Sequence, residues 1–121
     1  MKPNIVADKS KAFALKIINL HNFLINEKRE YVMSRQILKS GTSIGANIRE
    51  SKNAQSSLDF INKLSIALKE ADETAYWLEL LTEINTIEIE VSNALYSDLN
   101  EIISLLTSII KTTKNNINNK N

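Results

Sequence analysis

The sequence predicts an all-α fold: a single-domain, antiparallel, up-down four-helix bundle. The 121-residue chain has only two glycines and one proline, so it has few of the residues that end helices and build turns. Over most of its length apolar residues recur every three or four positions, which is the period of a helix packed on one side. The interruptions are short and polar, and short connections join neighbouring helices that run antiparallel.

Apolar stripes and end signals place the individual helices. The stripe of the first helix is Phe13, Ile17, Leu20 and Leu24. Ser56 and Asp59 have the spacing of a capping box at the start of the third, with Asp replacing the usual Glu. The stripe of the fourth is Leu95, Leu99, Ile102, Leu106 and Ile109. We expect helices over about residues 8–28, 31 or 34–53, 56–84 and 88–113.

One domain is expected over residues 1–113, since a chain of this length can bury a real core. Residues 114–121 are mostly Asn and Lys. We expect no apolar side chain to dock them, and therefore a disordered polar tail.

The second helix carries both glycines, at Gly41 and Gly45. Each glycine inside a helix costs about 1 kcal/mol relative to alanine, so the pair needs a structural reason. At 100° per residue, Gly41 lies on the same side as Ile44 and Ile48, with Gly45 at the edge of that side. Small residues four apart let another backbone approach closely. We therefore expect a tight helix–helix contact on this side.

The opposite side of the same helix is basic, with Arg35, Lys39 and Arg49. These cations can contact the phosphates of RNA or DNA, and that electrostatic contribution grows with the number of phosphates neutralised. A solvated face, or ion pairs between subunits, explains them equally well. Both interpretations remain open.

A second apolar stripe on the third helix predicts an oligomer interface. Its members are Ile66, Trp77, Leu81 and Ile84. The outer helix of a monomeric bundle needs only one stripe, and an exposed apolar patch commonly marks an interface. The alternative is that Trp77 folds back over the core of its own chain.

The net charge of +1 hides a strong segregation. Residues 1–55 carry ten Lys or Arg against four Asp or Glu, whereas residues 56–90 carry two against eight. Two interpretations stand side by side: solvated helix faces of different sign, or opposite surfaces of neighbouring subunits that attract each other.

Nothing in the sequence predicts an enzyme, a metal site or a cofactor. The single histidine, His21, lacks the acidic residue three positions earlier that a di-metal bundle requires, and the chain has no cysteine. G-T-S-I-G-A at residues 41–46 lacks the Lys-Ser/Thr ending of a phosphate loop. Without a signal peptide or a long apolar run, we expect no membrane contact and a cytoplasmic location.

Two blocks of sequence resemble a known family. One is S-G-T-S-I-G-A-N-I-R-E-S-K-N-A-Q at residues 40–55, and the other is D-F-I-N-K-L-S-I-A-L-K-E-A-D-E-T-A-Y-W-L-E-L-L at residues 59–81. Both are similar to signatures of the bacterial four-helix bundle proteins, also called the 23S rRNA intervening-sequence proteins. The resemblance implies an antiparallel four-helix bundle, a homopentamer and kinship with the accessory protein of diversity-generating retroelements, which binds nucleic acid. Gly45 replaces the proline usual in the family, and the resemblance brings no catalytic residue.

Two classes of function follow from the sequence. The first is a non-enzymatic homo-oligomeric binding module for RNA, DNA or a nucleoprotein partner. The second is a structural or protein–protein assembly module without nucleic-acid contact.

Overall fold

The computed structural model describes residues 4–119, which form four helices. They are α1 (Asn4–Asn26), α2 (Met33–Ser51), α3 (Ser57–Glu83) and α4 (Ile89–Asn119). α1 begins about four residues earlier than the sequence predicts. The reason is Val6, which is buried in the core and extends the apolar stripe of α1 by two turns beyond Phe13.

The helices form an antiparallel bundle in which each contacts its neighbours in the chain and α4 closes against α1. The antiparallel course is visible at the α1–α2 contact, where Ser10 lies beside Gly45 and Ile17 beside Gly41. Side chains of all four helices fill the space between them. The largest fully buried ones are Phe13, Ile17, Leu24, Ile37, Ile44, Ile48, Leu64, Leu78, Leu81, Leu99, Ile102 and Leu106.

Local hydrogen bonds fix where α2 and α3 begin. The Glu30 carboxylate accepts hydrogen bonds from the backbone N–H groups of Val32, Met33 and Ser34, at 3.3, 3.1 and 2.7 Å. It thereby satisfies donors that the first turn of α2 leaves unpaired. At α3, the Ser56 hydroxyl accepts from the Asp59 N–H at 3.0 Å. The Asp59 carboxylate accepts in return from the N–H of Gln55 at 3.2 Å, one residue before the cap.

The C-terminal residues differ from their predicted disorder. α4 continues through Asn119, six residues past the expected end at Thr113. The physical reason is Ile117, which is half-buried and packs against the core. The disordered tail predicted over 114–121 is therefore wrong for residues 114–119, and its last two residues lie outside the described range.

Candidate nucleic-acid interface on the second helix

The inner side of α2 is packed so closely against α1 that a side chain at either glycine would crowd α1. A Cβ at Gly41 would lie 2.9 Å from both Cγ1 and Cγ2 of Ile17, closer than such atoms approach. A Cβ at Gly45 would lie 3.3 Å from the Ser10 Oγ, which is tight but less severe. Ile44 and Ile48 beside them are completely buried. This is the helix contact that the spacing of small residues predicts.

α2 is also held to α3 by a polar contact inside the bundle. The Thr74 hydroxyl donates to the Ser40 Oγ at 2.9 Å, and both side chains are completely buried. Thr74 is a residue that sequence reasoning missed, because it interrupts an otherwise apolar stripe. With α1 on one side and α3 on the other, α2 is a rigid support for whatever its outer side carries.

The outer side carries the three cations that the sequence singles out. Arg35, Lys39 and Arg49 are all exposed. Within residues 4–119, the ion pairs join Lys9 to Glu101, Lys16 to Asp98 and Lys63 to Glu50. None of them engages Arg35, Lys39 or Arg49, which we call the basic face. It spans about 21 Å, because Arg35 and Arg49 are fourteen residues apart at about 1.5 Å per residue.

The hydroxyl groups between these cations already donate hydrogen bonds within α2. The Thr42 and Ser43 hydroxyls donate to backbone carbonyls of α2 itself, those of Leu38 and Lys39, at 2.7 and 2.6 Å. No aromatic residue occurs between Arg35 and Arg49, so stacking on nucleic-acid bases has no platform here. The basic face therefore offers positive charge to phosphates and little means of reading a base sequence.

The residues of the predicted interface stripe on α3 differ in how deeply they are buried. Leu81 is completely buried in the core of its own chain, so its assignment to an interface is wrong. It lies two helical turns after Thr74, which contacts α2, and so faces the same neighbour. Ile66 is half-buried, whereas Ile84 has 56% of its surface exposed.

Trp77 lies against its own chain, which is the alternative that the sequence left open. It is half-buried and packs on the core, and its indole N–H donates to the Glu73 carboxylate at 3.3 Å. The neighbouring Tyr76, which sequence reasoning missed, makes an edge-to-face contact with it at 5.2 Å between ring centres. Tyr76 is more exposed than Trp77, with 54% of its surface accessible.

Residues 4–119 contain neither a cluster of metal ligands nor a helix that could cross a membrane. No group of three His, Asp or Glu side chains comes together there as a metal site would require. None of the four helices, over the same residues, combines the length and apolar character needed to cross a membrane.

The fold and the candidate site define a class: four-helix bundles that present a basic helix face on a closely packed core. Residues 2–108 match the family described as 23S rRNA-intervening sequence protein, and the chain belongs to this family. It is similar to a protein of unknown function from the S23 ribosomal protein family of Bacteroides thetaiotaomicron, whose crystal structure is known. The two are 61% identical with a TM-score of 0.90, over 92% of this chain and 99% of that one. No curated protein sequence matches this chain.

Proposed function

We propose that the protein is a non-enzymatic, homo-oligomeric binding module of the cytoplasm that contacts the phosphates of RNA or DNA through its basic face. The observation that carries this proposal is that Arg35, Lys39 and Arg49 are exposed on one rigid helix without a carboxylate partner in residues 4–119. Cations already paired within the chain would have to break those pairs to bind phosphate. Arg35, Lys39 and Arg49 form no such pairs within residues 4–119.

The expected affinity of one basic face is modest, so assembly matters to the proposal. Three phosphate contacts contribute little at physiological salt, since each adds only about 0.9 to the slope of log affinity against log salt on duplex. A homopentamer would present the basic face five times and bind by avidity. The exposed Ile84 and the half-buried Ile66 are the residues of the predicted stripe that we assign to the subunit contact. The kinship with the accessory protein of diversity-generating retroelements stays a prediction from the sequence resemblance alone.

Titration of labelled RNA and DNA tests the phosphate contact. The parent should bind both with weak sequence preference, and its affinity should fall steeply between 50 mM and 200 mM salt. Replacing Arg35, Lys39 and Arg49 together by Glu should abolish binding. Circular dichroism should show unchanged helix content, because all three side chains are exposed.

A matched control separates this face from overall charge. Replacing Lys11, Lys69 and Lys111 by Glu makes the same change in net charge, at exposed cations outside α2 that join none of the ion pairs in residues 4–119. This variant should keep most of the affinity. Equal loss in both triple variants would show a non-specific effect of charge, and no binding by the parent at 50 mM salt would reject the nucleic-acid function.

A protein-only assembly module is the second candidate, and the exposed Ile84 at the end of α3 favours it. Light scattering coupled to size exclusion should give about five times the chain mass of 13.7 kDa for the parent. Ile84→Lys should lower that mass. A parent of 13.7 kDa would reject the homo-oligomer under either function.

A further inference from the structure

A groove between α1 and α4 lies away from the basic face and has the opposite character. Its volume is about 610 Å³. Its apolar walls are Leu20, Phe23, Ile87, Val91, Ala94 and Leu95. Two of these side chains are exposed, Phe23 over 40% and Val91 over 45% of its surface. A groove between two antiparallel helices suits a third helix that inserts an apolar stripe.

On the α4 side of the groove, the charged side chains are carboxylates. Residues 87–110, which supply the whole α4 side of the groove, contain four Asp or Glu and no Lys or Arg. Glu88 lies on its wall, and Glu90 lines the adjoining surface that continues past Phe23. Neither carboxylate forms an ion pair within residues 4–119.

The cations that face the groove come from α1 and the connection after it, and they have partners. Lys16 bonds to the Asp98 carboxylate at 2.6 Å. Lys28 lies over the Phe23 ring, 5.8 Å from its centre, which is the arrangement of a cation–π contact. The chain thus already places one cation on the exposed aromatic ring of this groove, as a cationic ligand would do.

We propose that the α1–α4 groove docks a cationic amphipathic helix of a partner protein. Its apolar stripe would lie against Phe23, Val91 and Ala94, and its Lys or Arg side chains against Glu88 and Glu90. Charge complementarity selects this occupant, because an acidic helix would be repelled and an uncharged one would leave the two carboxylates unpaired. The site is independent of the phosphate contact on α2, since it uses different helices and the opposite charge.

Fluorescence anisotropy with designed 18-residue peptides tests the proposal on the full chain. The probe has Leu at helical spacing and Lys elsewhere. One comparison peptide has Glu in place of every Lys, and the other has the Leu and Lys residues scrambled so that no stripe forms. We expect the probe to bind at least tenfold more tightly than either.

Two variants place the binding on the groove. Val91→Ser removes an exposed apolar contact, and Glu88→Gln with Glu90→Gln removes the two charges. Each variant should bind the probe peptide at least fivefold more weakly than the parent does. The matched controls are Leu58→Ser, at a Leu with 70% exposure outside the groove, and Asp8→Asn with Asp72→Asn, which removes two exposed carboxylates elsewhere. Both controls should bind as the parent does.

Three results would overturn the proposal. Equal affinity for the scrambled peptide would reduce the binding to simple charge attraction. Parent-like affinity in a folded Val91→Ser variant would place the peptide elsewhere. A lower mass of Val91→Ser by light scattering would assign the groove to a second copy of this chain. Failure of the nucleic-acid titrations would leave these peptide results unchanged, so the two proposals are tested separately.

Discussion

The two sides of α1 differ sharply in how they meet the rest of the bundle. On the α2 side, Gly41 lies so close to Ile17 that no Cβ fits between them. On the α4 side, the contact includes two ion pairs with exposed side chains, Lys9–Glu101 and Lys16–Asp98. The groove that contains Phe23 and Val91 lies along the same side.

This difference separates what holds the fold from what remains free to bind. Interiors packed to this density lose free energy whenever a methylene group is added, because neighbouring side chains or backbone must shift. Exposed ion pairs contribute little to the free energy of folding. Side chains that line an open groove can be replaced without displacing their neighbours. We infer that the α1–α2 contact fixes the bundle, whereas the α1–α4 side is available to a ligand.

The largest expected effect comes from filling the space at Gly41. Gly41→Ala gains helix propensity of about 1 kcal/mol, but its Cβ would lie 2.9 Å from the buried, β-branched Ile17, which must shift to admit it. Gly45→Ala makes the same gain against the Ser10 hydroxyl at 3.3 Å. We expect Gly41→Ala to be about 1–3 kcal/mol less stable than Gly45→Ala by urea unfolding.

A double-mutant cycle checks the cause of that difference. Ile17→Ala removes the two atoms that a Cβ at position 41 would meet. In the Ile17→Ala background, Gly41→Ala should cost less than in the parent, because the obstacle is gone and the gain in helix propensity remains. The same cost in both backgrounds would show that Ile17 is not the obstacle.

A smaller effect is expected on the α4 side. Lys16→Met removes the ion pair with Asp98, whose side chains are 55% and 35% exposed. The free energy of unfolding should fall by less than about 1 kcal/mol, because solvent screens exposed pairs. The fall should shrink further at 1 M salt. A loss above 2 kcal/mol would mean that the α1–α4 side holds the fold as firmly as the α2 side.

The smallest effect concerns Tyr96 on α4. Burial raises the pKa of the Tyr96 phenol above its ordinary 10.0, and the nearby Glu79 and Glu83 raise that pKa further. The phenol therefore loses its proton at a lower pH in the unfolded chain than in the folded one. The contribution of the neutral phenol to folding stability is fully present below pH 10 and declines as the pH rises above 10. The difference in unfolding free energy between the parent and Tyr96→Phe should therefore shrink above pH 10. If the difference in unfolding free energy stayed constant from pH 8 to 10.5, the raised pKa of Tyr96 would be contradicted.

Periodicity in the sequence was enough to predict the bundle and the two sides of α2, because a helix with one buried face repeats its apolar residues at a fixed angle. It failed at Leu81, since α3 buries a wider arc that includes the side toward α2. It failed at residues 114–119, where one isoleucine, Ile117, extends the packed stripe of α4. The α1–α4 groove depends on the distance between two helices, which no single-helix pattern contains. The only signal in the sequence was Phe23, which lies off the core stripe of α1, because Val91 continues the α4 stripe one turn before Leu95.

One comparison tests the distinction between the two sides of α1 most directly: the unfolding free energies of Gly41→Leu and Ala94→Leu. Both substitutions enlarge a small residue to leucine, one at the closed α1–α2 contact and one in the open α1–α4 groove. We predict that Gly41→Leu loses more than about 2 kcal/mol, as overpacking a filled contact requires, and that Ala94→Leu stays within about 0.5 kcal/mol of the parent, as exposed substitutions do. Equal losses, or a larger loss at Ala94, would contradict the account.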